Sequence, residues 1–241
     1  MNQLGPFLSG MLVSGNIIIA ADGGSYTRSV DAGKNFSKLD SYGSRHLHTL
    51  VYQHNGQKMF MYGDGIISVS ADSGITWQKS YAPPTADPGC EGHLVYNDSG
   101  ILISLGQQGL VCKSTDDGKN WTVTAQLSGF FENHKLLWTG TKFMAYAGNQ
   151  DVVFESADGV TWSSRRLTNL FPFNQTVIFR NGATGVFYAY KYANTFSRSV
   201  DGITWTDLPA ARQPPTTGGA EYMQNLAIGD VNVQPGHPCY K

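Results

Sequence analysis

The sequence predicts an all-β protein, a β-propeller of four-stranded antiparallel blades, and three observations carry that expectation. A short motif recurs five times: SVDAGKNF from Ser29, SADSGITW from Ser70, STDDGKNW from Ser114, SADGVTW from Ser156 and SVDGITW from Ser199. Its aspartates, Asp31, Asp72, Asp116, Asp158 and Asp201, stand 41, 44, 42 and 43 residues apart, a period typical of propeller blades. Between the motifs lie short runs of β-branched and aromatic residues broken by Gly, Asn and Asp, and no segment sustains helical periodicity.

Each period has the same internal order. The first repeat reads as four strands, FLSGMLV, NIIIAAD, SYTRSV and FSKLD. In later repeats the first run is TLVYQHNG from Thr49, HLVYNDSG from His93, KLLWTGT from Lys135 and TVIFRNG from Thr176. The second is KMFMYGDG from Lys58, ILISLGQQG from Ile101, KFMAYAGNQ from Lys142 and GVFYAYKYA from Gly185. A third run leads into the motif and a fourth leaves it. Within the motif, the Asp side chain is suited to accept backbone N–H groups two or three residues on. The glycine supplies positive φ. The aromatic residues Phe36, Trp77, Trp121, Trp162 and Trp205 are placed to pack back across the turn or onto a neighbouring blade. Residues 1–211 are therefore expected to form five blades. Residues 212–241, opening on a Pro/Gly-rich linker, are expected to add a closing strand or tail. A six-bladed ring with an incomplete last blade is the alternative.

The S-x-D-x-G-x-x-W pattern resembles the Asp-box, or BNR repeat, of sialidase-like and sortilin-type propellers. The resemblance spans five blades and implies that the box forms the peripheral turn between third and fourth strands. It assigns Asp31, Asp72, Asp116, Asp158 and Asp201 a structural role, since catalytic groups have no reason to recur once per blade. Sialidases are six-bladed, carry an Arg-Ile-Pro motif ahead of the first box, and use an arginine cluster, an acid and a tyrosine nucleophile. This chain has no Arg-Ile-Pro. Of its seven arginines, only Arg45 falls in a loop expected at the channel. No catalytic residue is assigned, and the expected function is non-enzymatic. A glycoside hydrolase of sialidase-like fold, using carboxylates such as Glu91, Glu132, Asp64 and Asp151, is the alternative. No GxSxG, phosphate-loop or dinucleotide motif is present.

Charged residues make up 15% of the chain and the net charge is −1, which argues against nucleic acid as a partner. No run is apolar for the roughly 20 residues a membrane helix needs. The three cysteines, Cys90, Cys112 and Cys239, form no CxxC spacing, so a structural zinc site of that kind is not expected. No HExxH signature supports another metal, and no other cofactor is expected. The N-terminal stretch lacks a basic start and a small-residue cleavage site. The expectation is a chain mature as written, or one that leaves the cell by lysis or virion assembly.

Strand order places the loops leading into the first strands, and those between second and third strands, on the face opposite the motif turns. The leading loops read SRHLH from Ser44, CEGH from Cys90, FENH from Phe131 and FPFNQ from Phe171. Aligned on the hydrophobic run, His48, His134 and Gln175 share one position and His93 sits one step on, with Glu91 and Glu132 alongside. Tyr62, Asp64 and Tyr192 come from the second set of loops. These nine residues are the candidate ligand site, rich in side chains that hydrogen-bond or stack. Strand capping and channel water are the bland alternative. The expected function is a binding or assembly module: a glycan-binding surface, a virion structural or attachment protein, or an assembly-factor propeller with a protein partner. Homo-oligomers or larger assemblies remain open.

Overall fold

The computed structural model describes residues 10–22, 25–37, 40–41, 49–54, 58–63, 66–80, 92–97, 99–106, 108–128, 135–147, 150–169, 177–182, 184–191 and 195–209. Among them, the chain forms five four-stranded antiparallel sheets, each a meander. The first contains β1 (Gly10–Ser14), β2 (Ile17–Asp22), β3 (Ser25–Ser29) and β4 (Asp40–Ser41). The second contains β5 (Thr49–His54), β6 (Lys58–Gly63), β7 (Ile66–Ser70) and β8 (Gln78–Ser80). The third contains β9 (Gly92–Tyr96), β10 (Leu102–Gly106), β11 (Leu110–Ser114) and β12 (Thr122–Gln126). The fourth contains β13 (Lys135–Trp138), β14 (Phe143–Tyr146), β15 (Val152–Ser156) and β16 (Ser163–Arg166). The fifth contains β17 (Val177–Arg180), β18 (Phe187–Lys191), β19 (Thr195–Ser199) and β20 (Thr206–Asp207).

First strands of successive sheets lie side by side: β1 by β5, β5 by β9, β9 by β13, and β13 by β17. Burial follows from that stacking. Every residue of β10 and β14 is buried, because a second strand has a sheet against each face. This is why those strands read as unbroken apolar runs. The fourth strand of a sheet lies at its free edge, and all of β16 is exposed, matching its Ser-Ser-Arg-Arg sequence.

Each motif is the turn from third to fourth strand, held the same way in every sheet. In the fourth sheet, Ser156 Oγ donates to Asp158 Oδ1 (2.9 Å) and accepts Gly159 N–H (2.8 Å). The carboxylate in turn accepts Val160 N–H and Thr161 N–H at 2.8 and 2.9 Å. These bonds favour the ionised form. Main-chain N–H of Asn35, Asn120 and Thr161 is the largest cause lowering Asp31, Asp116 and Asp158, and the Thr76 hydroxyl is the largest for Asp72. All four fall from 3.8 to about 2. The eight-residue motifs carry one more left-handed residue than the seven-residue ones: Ala32, Ser73 and Asp117 have φ of 59–61°. In the shorter motifs only the glycine is left-handed.

The turns also join one sheet to the next. Four apolar clusters each span two consecutive sheets, and into each goes the aromatic residue of the later motif: Trp77, Trp121, Trp162 and Trp205. Polar bonds reinforce the junctions. Arg28 Nε donates to Ser73 O (2.7 Å), Lys58 Nζ to Asp117 Oδ2 (2.6 Å), Lys113 Nζ to Asp158 O (2.8 Å), and Tyr146 Oη to Gly202 O (2.9 Å). In every case the donor lies on the preceding sheet. Cys112 is fully buried in β11 and disulfide-bonded, with its partner outside the described residues.

Candidate functional site

The meander fixes which groups share an end of a sheet. In the fourth sheet the start of β13, the end of β14, the start of β15 and the end of β16 lie together, opposite the motif turn. Of the sequence candidates, His48, Asp64, Glu91, Glu132, His134, Gln175 and Tyr192 lie outside the described residues. Tyr62 pairs with Thr49 and Ile67 through the backbone. His93 is half-buried in β9, opposite Leu105.

The register refines the alignment on which the site was built. Leu50, Leu136 and Ile178 each pair across to the residue that pairs with the second position before the motif serine. His48 and His134 precede that position by two residues, whereas Gln175 precedes it by three. The fifth run, Val177–Ile178–Phe179, joins its sheet one residue earlier than its hydrophobicity suggested.

The same register exposes a residue that sequence reasoning passed over. Lys135, first in β13, occupies the position that His93 holds in β9. It is half-buried, and burial alone lowers the pKa of its ammonium. Among the described residues its ammonium has no hydrogen bond or ion pair. Asp151, at the same end of the sheet, pairs with Arg166. The available signal was a charged residue opening a hydrophobic run one step after His134, and it reads equally well as a solvated strand end.

Alternation sets the direction of these two side chains. His93 shares its face with Val95, which packs in the cluster between third and fourth sheets. Lys135 shares its face with Leu137, which packs against the cluster between fourth and fifth. Two basic groups thus stand at the same level on adjacent first strands, each at the end of an apolar junction. The described residues contain no group of three His, Cys, Asp or Glu placed to hold a metal.

The described arginines do not converge: Arg166 stands at this end of the fourth sheet, and it is paired. Arg28 bonds the next sheet's turn, Arg166 pairs with Asp151, and Arg180 lies 5.7 Å from the centre of the Phe187 ring. Arg165 and Arg198 are exposed on outer strands, while Arg45 and Arg212 lie outside the described residues.

No family model and no curated protein matches the chain. Solved structures do. The chain is similar to YCF48 bound to D1 peptide, at 17% identity and TM-score 0.57, over 85% of this chain and 68% of that one. It is similar to a streptogramin B lyase, at 13% identity and TM-score 0.64, over 83% and 67%. Virginiamycin B lyase from Staphylococcus aureus with quinupristin gives 14% identity and TM-score 0.60, over 83% and 68%. These neighbours are β-propellers, and at such identities the likeness establishes the fold alone. With the five stacked sheets, it makes the chain an all-β protein of the propeller class.

Proposed function

We propose that this chain is a non-enzymatic binding module, an Asp-box propeller that holds an extended segment of a protein partner at the ends where its first strands begin. The observation that carries the reading is Lys135: a partly dry cation with no charge partner among the described residues, at the position on its strand that His93 holds on β9, at the end of packed sheets. Such a group destabilises the free protein and is accounted for by a ligand. The peptide-bound neighbour adds support at the level of fold. His48, Glu91, Glu132, His134, Gln175, Tyr62, Asp64 and Tyr192 complete the binding surface, and residues 212–241 close the framework. The dispersal of the described arginines speaks against sialoside cleavage, which needs guanidinium groups converging on one carboxylate.

The test sets a peptide array and a glycan array side by side with a fluorogenic sialoside assay. Peptide binding without sialic acid release is expected. Glycan binding alone would move the protein to a carbohydrate-attachment role on a particle or cell surface. Turnover lost in Arg45→Ala would make it a hydrolase.

A further inference from the structure

We propose that Lys135 is the anchor for a carboxylate of the bound peptide, at the mouth of the junction between fourth and fifth sheets; this rests on the binding reading above and names the chemistry of its ligand. At the end of the fourth sheet where Lys135 stands, Asp151 is paired with Arg166. In the fifth sheet, Asp207 accepts the Ser197 hydroxyl at 2.5 Å. Glu155, Asp158 and Asp201 stand at the opposite end, by the motif turns. Among the described residues, no carboxylate pairs with the Lys135 ammonium.

The surroundings of Lys135 are apolar on one side. Its strand neighbour across the pair is Tyr146, fully buried, with its hydroxyl given to Gly202 O at 2.9 Å and so turned away to the far end of the sheet. Leu137, Met144 and Val153 continue the same face into the junction. A cation at the rim of an apolar cleft loses hydration, and among the described residues it gains no partner, at a cost to the folded protein. An incoming carboxylate supplies a counter-charge and accepts from the ammonium, and the low local polarity strengthens that bond. A single ammonium suits a monoanion. A phosphate dianion would call for more cationic groups, and Arg166, a described cation at this end of the fourth sheet, is paired with Asp151.

Two carboxylate sources share this chemistry within a peptide, the chain terminus and an acidic side chain; acidic sugars carry it too. Reductive ¹³C-methylation keeps each lysine charged and gives each a resonance, and Lys135→Met identifies the one from Lys135. The intact protein is titrated with N-acetylglycine, N-acetylaspartic acid α-amide and N-acetylneuraminic acid, with N-acetylglycinamide as the uncharged control. A saturable movement of the Lys135 resonance with a peptide carboxylate, absent with the control, is expected. Movement only with N-acetylneuraminic acid would overturn the peptide assignment, and no movement with any of the three would overturn the site.

Peptides retained on the array provide the second arm. Lys135→Met should weaken their binding roughly tenfold or more, as loss of a charged hydrogen bond does. Its thermal midpoint should stay level or rise, because an apolar side chain of similar length relieves the dry cation. Unchanged affinity in a folded Lys135→Met protein refutes the anchor and leaves the binding-module reading standing. If no peptide binds the wild-type protein, the binding reading fails, and the resonance titration still decides whether Lys135 takes a carboxylate.

Discussion

Replacing Gly159 with alanine tests whether the motif turn is a junction piece as well as a turn. Gly159 has φ +72°, and a Cβ there would lie 2.2 Å from Ile103 Cδ1 and 3.1 Å from Cγ1. Ile103 is fully buried on β10 of the preceding sheet, so the clash is between sheets. The left-handed backbone costs an alanine about 1–2 kcal/mol, and forcing a methyl into packed surroundings adds about 1–3 kcal/mol. Reduced freedom of the unfolded chain returns about 0.4–1 kcal/mol. The expected loss is about 2–4 kcal/mol, a large share of the roughly 5–15 kcal/mol that holds a typical protein folded. Gly140→Ala is the control, since it too has positive φ (+93°) but nothing lies within 4 Å of its added Cβ. It should lose about 1 kcal/mol or less. Equilibrium denaturant unfolding of both variants isolates the junction term. Ile103→Val removes the atom in closest conflict, so the double variant should recover about 1 kcal/mol relative to additivity. Equal losses at Gly159 and Gly140, together with strict additivity, would show that the turn does not rest on the neighbouring sheet.

Two further outcomes follow from the turn itself. Ser156→Ala strips the acceptor from Gly159 N–H in a buried position; urea unfolding should show a loss of roughly 1–3 kcal/mol, and a neutral result would remove the serine from the turn's support. Acid should weaken the fold through Asp31, Asp72, Asp116 and Asp158, whose folded pKa of about 2 lies below the ordinary 3.8. A depressed folded pKa gives stability that is complete above the unfolded value and drains away as pH falls toward the folded one. Unfolding midpoints should therefore drop between about pH 4 and pH 2, and Asp116→Asn should shallow that drop. A flat profile across the window would contradict the hydrogen-bonded carboxylates.

The fold was legible because its two signals are local. A serine, an aspartate and a glycine in fixed order build a turn from their own hydrogen bonds, and unbroken apolar runs mark strands covered on both faces. Each of the five motifs then falls in one of the five described sheets. The site was less legible. His93 showed itself as a histidine in a strand-leading segment, but Lys135 looked like any solvated strand end, because sequence does not report how much water a side chain loses. Register was hidden as well: a run such as Val-Ile-Phe joins its sheet at a residue set by hydrogen bonding and not by the start of its hydrophobic stretch.

The junctions were least legible, because different residues do one job at equivalent places. The position before the motif serine holds Arg28, Val69, Lys113, Glu155 and Arg198. Arg28 and Lys113 reach the next sheet's turn directly. Where Val69 or Glu155 stands instead, Lys58 and Tyr146 supply the bond from second strands. No consensus survives such exchange, although the contact recurs at all four junctions between described sheets. The two ends of the series confirm the logic by contrast. Arg198, on the fifth sheet, is exposed, and Phe36, in the first turn, is 48% exposed where Trp205 in the last is fully buried. Arg198 occupies the place from which Arg28 reaches the next turn, and Phe36 is an aromatic at the place of the junction tryptophans. What differs is the neighbouring sheet, so burial of the motif aromatic and capture of the next turn by a donor from the preceding sheet are properties of the junction and not of the motif alone.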